Sequence, residues 1–177
     1  MARKATVLAL NYRRLYPPAI FPGRTQLDVS GQPFPVAAEA VFDPFRPWRW
    51  LADWRRLSSH RLDALVVSWW TPLFAPSMTA FLSRWRRRAG IPVAFICHNV
   101  RPHESFPLAV RLQREVLAQG DVLVAHWRGD ADQLSEWFPH RTVLNLFHPL
   151  YEEFPPASDS DRPSARRRLG LPLEGSR

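Results

Sequence analysis

Short apolar runs alternating with amphipathic stretches predict an α/β fold for this chain, a Rossmann-like parallel sheet with flanking helices. Three observations carry that reading. VAFIC (Val93–Cys97) is almost wholly apolar and follows Pro92, the pattern of a strand buried on both faces. Similar runs recur at 63–70 (DALVVSWW) and 121–125 (DVLVA), with helical spacing of apolar residues between them. Polar residues crowd immediately after the runs, where ligands of open parallel sheets bind.

In chain order, residues 5–11 (ATVLALN) form the first expected strand. Pro17, Pro18 and Pro22 exclude a helix over the segment that follows, because each removes a donor and restricts the residue before it. Residues 24–45, with Gly31, Pro33, Pro35 and Pro44, read as a long irregular excursion. From Pro47 the spacing of Trp50, Trp54 and Leu57 is helical, with Arg49, Asp53, Arg55 and Arg56 expected on the opposite, polar face.

After the strand at 63–69, Thr71 and Pro72 supply a cap and a first-turn proline. The helix they open carries Phe74, Met78, Phe81, Leu82 and Trp85 on one stripe. It ends in Arg86, Arg87 and Arg88 before Gly90, cations and glycine both suiting a helix C-terminus. Ser105 is the expected cap of a helix bearing Leu108, Leu112 and Val116, closed by Gly120. A strand at 121–125, a short helix at 130–137 and a last strand at 142–147 complete the unit. Residues 155–163, rich in proline, serine and acid, read as a linker, and 164–169 as a short helix stopped by Gly170.

At 177 residues the chain has room for one domain with a real core. Its single cysteine, Cys97, excludes an internal disulfide. No run of about 20 apolar residues suggests a membrane-spanning helix. The net charge of +8 is almost entirely arginine, since Lys4 is the only lysine, and it favours an anionic partner.

The candidate chemistry lies just beyond the 93–97 strand, in His98, Asn99, Arg101, His103 and Glu104. Imidazoles and a carboxylate at a strand exit position sugar hydroxyls or move a proton. The bland alternative is a loop whose side chains satisfy its own backbone. A metal set of Cys97, His98, His103 and Glu104 matches no recurrent zinc spacing, and neighbours such as Cys97 and His98 point to opposite faces of a strand. Trp69 and Trp70 leave their strand side by side, so one is expected to pack inward; the other is either a partly exposed aromatic, the commoner case, or a ring facing a cleft that stacks on a sugar or lipid chain. His126 and Trp127 sit at an equivalent exit. Arg84 with Arg86, Arg87 and Arg88, and Arg166 to Arg168, are charge runs of the kind that usually form solvated faces, though an arginine-tipped amphipathic helix is also what an anionic bilayer attracts. No glycine-rich phosphate loop is present in the sequence.

These residues carry a resemblance. CHNVRPHE (97–104) resembles the CHNV-x-PHE segment of bacterial family-four glycosyltransferases of the GT-B fold. Tyr16-Pro17 with Phe21-Pro22-Gly23, Trp69-Trp70-Thr71-Pro72, and Gly120-Asp121 through His126 are similar to further family segments in the same order. So are His148-Pro149-Leu150-Tyr151 with Phe154, and Arg166 with Leu169-Gly170-Leu171-Pro172. Two departures stand out. The family's usual first strand, glycine-rich loop and helix have no counterpart in this sequence, and Trp127 replaces a serine after His126.

The resemblance implies that residues 1–154 are an acceptor-side Rossmann-like domain, truncated at its start. Residues 155–177 would be the linker and the beginning of a donor-side domain that the sequence does not contain. It implies hexosyl transfer from a nucleotide sugar to a glycan or lipid-linked acceptor, in cell-envelope polysaccharide synthesis, with the isolated chain inactive. His98 is the implied catalytic or sugar-positioning residue, and Asn99, His103 and Glu104 line the cleft with Trp70 and His126. No metal and no cofactor are expected beyond the nucleotide-sugar substrate. The expected location is the cytoplasm, with peripheral contact at the anionic inner face of the plasma membrane, and no nucleic acid as partner. The competing readings are a basic nucleic-acid-binding module, whose scattered arginines and lack of a recognition motif speak against it, and a metal hydrolase.

Overall fold

The computed structural model describes residues 5–17, 21, 25–26, 38–101, 107–148 and 161–172, apart from the side chains of 88, 89 and 161. It divides into two compact units, Met1–Phe147 and His148–Arg177. The first is an α/β unit whose centre is a four-stranded parallel sheet flanked by helices, a Rossmann-like arrangement.

Two strands come first, β1 (Ala9–Tyr12) and β2 (Ala38–Phe42), paired in parallel as a separate two-stranded sheet. This corrects two expectations. The first strand begins later than 5–11 and does not join the main sheet, and the excursion at 24–45 contains a strand. Ala38, Ala40 and Phe42 pair with Ala9, Asn11 and Tyr12, so a partner strand supplies the ladder that the surrounding prolines made improbable.

Helix α1 (Pro47–Leu57) opens with the proline in its first turn and buries Trp54 and Leu57, with Trp50 half-buried. Asp53 departs from expectation. It is buried, 4.0 Å from the Arg49 guanidinium, rather than on the solvated face.

The main sheet comprises β3 (Leu65–Trp69), β4 (Val93–Cys97), β5 (Val122–Ala125) and β6 (Thr142–Asn145), in that order and all parallel. A 3-10 turn at Pro72–Phe74 precedes α2 (Ala75–Ala89), and the Thr71 hydroxyl accepts the Leu73 N–H. Gly90 closes α2 at φ 63°, where a side chain is strained. The α2 stripe is buried as the spacing predicts: Phe74, Met78, Phe81, Leu82 and Trp85. Between β4 and β5 comes α3 (Ala109–Leu117), and between β5 and β6 comes α4 (Arg128–Trp137).

Val67, Trp69, Phe95, Cys97, Leu123 and Ala125 face one core with Leu82, Val116, Leu117 and Leu134. The alternate positions Ala94, Ile96, Val122 and Val124 are only half-buried. Burial of β4 on both faces therefore does not hold. The strand is interior because it has neighbours on both edges, and only one of its faces is fully packed.

The helix after β4 is also rotated from the expected stripe. Leu108 precedes α3 at φ 73° and is exposed, while Ala109, Gln113, Val116 and Leu117 are buried. The proposed cap Ser105 lies outside the described residues. Strand β6 stops at Asn145, short of the expected 147, and Phe147 is exposed.

In the second unit, α5 (Asp161–Arg168) begins inside the stretch read as linker. Gly170 follows it at φ 66°, and the Leu171 N–H returns to the Arg166 carbonyl, a glycine-closed helix end. Among the described residues no helix is long and apolar enough to cross a membrane.

Candidate functional site

The sheet register builds the site. Trp69 is paired with Cys97, Cys97 with Ala125, and Ala125 with Asn145. The next residue on each strand therefore emerges at one level: Trp70, His98, His126 and Leu146. Backbone bonds carry the ladder across that boundary, from His98 N–H to Trp69 O at 2.8 Å and from Leu146 N–H to Ala125 O at 2.9 Å.

Neighbouring strands thus bring His98 and His126 together. Their ring centroids lie 5.5 Å apart, tilted by 46°, and a nitrogen of one ring lies within 4.8 Å of a nitrogen of the other. His126 is half-buried, its Nδ1 3.0 Å from the Leu146 carbonyl, a contact that orients the ring. His98 is exposed, directly after the buried Cys97. The alternation of a strand puts these two neighbours on opposite faces. Burial pushes the Cys97 thiol up to about 12, with the nearby Asp130 charge adding to the effect. Cys97 thus offers neither a thiolate nor the right direction for a metal shared with His98.

Asn99 holds the exits of two strands together. Its side-chain amide donates to the Trp70 carbonyl at 3.0 Å. Gln113, reaching from α3, donates to the Asn99 carbonyl at 2.9 Å and to the Val100 carbonyl at 2.6 Å. Sequence reasoning passed over Gln113, although its place four residues after Ala109 and three before Val116 put it on the buried stripe. A buried glutamine bonded to loop carbonyls replaces the regular ladder that the chain loses after β4.

Trp69 is fully buried, and Trp70 is half-buried, packed against the core. The Trp70 ring stands edge-on to Tyr12 at 5.4 Å and to Phe74 at 5.3 Å, which fixes its orientation. Trp127 is exposed, its ring folded over Gly129, where an added Cβ would meet it at 2.4 Å.

Asp130, in the first turn of α4, is a further acid near these exits that the sequence did not single out. Burial raises its pKa, and the Arg101 charge pulls it back. Arg101 itself bonds Gln133 at 3.3 Å. The expected cleft residues His103 and Glu104 lie outside the described residues. At the amino ends of the strands, opposite these exits, Arg86 near the end of α2 pairs with Asp121 at 2.5 Å.

Set against known proteins, the chain matches no family model and no curated sequence. The functional reading therefore stands on the residues themselves.

Proposed function

We propose that this chain is the acceptor-side part of a glycosyltransferase, which moves a hexosyl group from a nucleotide sugar to a lipid- or polysaccharide-linked acceptor. The reading draws on the resemblance of residues 97–104 and the segments around them. One geometric observation supports it: three adjacent parallel strands deliver Trp70, His98 and His126 to one level at their carboxyl ends. That is where open parallel sheets bind ligands.

In this reading His98 accepts a hydrogen bond or a proton from the acceptor hydroxyl. The sheet holds its backbone while its exposed ring reaches the ligand. His126 steadies the same hydroxyl region from the next strand, and the exposed part of Trp70 stacks on a sugar face. Asn99 and Gln113 serve as positioning residues, holding the loop that follows His98.

The test is titration of the isotopically labelled full chain with octyl glucoside, octyl galactoside and octyl mannoside below their micellar concentrations. Side-chain resonances of Trp70, His98 and His126 are expected to move together for at least one glycoside. Shifts confined to other regions, or none at all, would overturn the acceptor-site reading. A strongly salt-dependent affinity for DNA in the same preparation would favour the nucleic-acid alternative instead.

A further inference from the structure

We infer that His98 and His126 form a binding site for a divalent transition metal of the zinc and nickel class, held between two adjacent strand exits. Each histidine is the first residue beyond its strand, and the last strand residues, Cys97 and Ala125, are paired. The sheet therefore sets the two backbones side by side. The ring centroids lie 5.5 Å apart, and a nitrogen of one ring lies within 4.8 Å of a nitrogen of the other. Two imidazole nitrogens on one tetrahedral zinc ion sit about 3.3 Å apart, given zinc–nitrogen bonds of about 2.0–2.1 Å. Side-chain rotation covers that difference with neither strand displaced.

The outer contact of His126 fits the same chemistry. A carbonyl oxygen only accepts, so the Nδ1 that lies 3.0 Å from the Leu146 carbonyl carries the ring proton. The neutral imidazole then has its lone pair on Nε2, the nitrogen that a metal takes. Metal-binding histidines characteristically donate their other ring N–H to a carbonyl or carboxylate, which fixes both tautomer and ring plane. His98 is exposed, so a hydrated ion reaches the pair from solvent.

The donor set selects the ion. Imidazole nitrogens suit zinc and nickel, whereas calcium and magnesium demand oxygen ligands. The +8 charge of the chain opposes any cation, so affinity has to come from the metal–nitrogen bonds rather than from general attraction. The ring geometry carries this site whether or not a sugar binds nearby. Metal and acceptor hydroxyl would compete for His98, so the metal is tested with glycosides absent.

The full chain, isotopically labelled at its histidines, is titrated with zinc chloride at about pH 7.5 in a buffer that does not chelate metals. The imidazole nitrogen resonances of His98 and His126 are expected to move together and to saturate. Magnesium chloride at the same concentration should leave them in place. Loss of an outer contact to a metal-binding histidine weakens binding roughly 10–100-fold, so His98→Ala and His126→Ala should each weaken zinc binding at least about tenfold. His60→Ala, beyond α1, and His140→Ala, before β6, should leave the affinity unchanged. If His126→Ala misfolds, His98→Ala decides alone, because that ring is exposed. No saturable response at the pair, an equal response to magnesium, or undiminished affinity in His98→Ala overturns the inference.

Discussion

The side-chain amide of Asn99 donates to the backbone carbonyl of Trp70 at 3.0 Å, tying the exit of β4 to the exit of β3. A residue read from sequence as cleft lining thus holds together two loops that carry candidate ligand contacts. Asn99→Ala is expected to cost about 1 kcal/mol in denaturant unfolding, the usual scale for one such bond. It should also broaden the indole resonance of Trp70, whose backbone loses its tether. An unchanged indole signal would leave the clip without consequence.

Gln113 carries more. Its Nε2 serves the carbonyls of Asn99 and Val100, and the side chain is fully buried. Gln113→Ala leaves both carbonyls without that donor and opens space in the core, so a loss of about 2–4 kcal/mol is expected. Gln113→Glu should be nearly as damaging, because it removes the donating nitrogen and buries a carboxyl. Urea midpoints of the two variants check this.

Asp121 links stability to acidity. Against burial, which would raise it, the Val93 N–H and the Arg86 and Arg141 guanidinium groups hold its carboxyl below the usual aspartate range. A depressed folded-state pKa stabilises the fold above the unfolded pKa of about 4 and loses that contribution as pH falls through the folded value. The wild-type melting temperature is therefore expected to exceed that of Asp121→Asn at pH 6, and the gap to close toward pH 3. A gap independent of pH would refute the linkage.

Gly120 is required by space. A Cβ there would lie 2.7 Å from Phe95 Cδ2 and 3.0 Å from Leu123 Cδ2, both on fully buried side chains. Gly120→Ala is expected to destabilise by about 1–3 kcal/mol through overpacking. Thermal unfolding measures it directly.

His98 separates stability from function. Because its ring is exposed, His98→Ala should change unfolding free energy by no more than about 0.5 kcal/mol. If the proposed role is right, the same variant loses glycoside-induced shifts at Trp70 and His126. In a chain assembled with a nucleotide-sugar-binding half, turnover should fall roughly 10²-fold. Retained turnover with unchanged stability would leave His98 without a catalytic role.

Local pattern alone determined much of both units. The apolar run at Val93–Cys97, the stripe from Phe74 to Trp85 and the glycine closures at Gly90 and Gly170 are visible in sequence and present in the structure. Each depends on neighbours within a turn or on a continuous apolar run, where side-chain periodicity and backbone freedom act locally. The strand exit that carries His98 and Asn99 was legible for the same reason.

Pairing and packing partners far apart in the chain were not legible. Strand β2 exists because Ala38–Phe42 finds β1, across a segment whose prolines argue for irregular chain. The buried Asp53, the rotation of α3 that buries Gln113 and exposes Leu108, and the alignment of His98 with His126 all depend on what a distant element presents. A hydrogen-bond ladder sets register between strands, and a core selects which helix face it covers. Both are interactions between segments, so only the folded chain decides them.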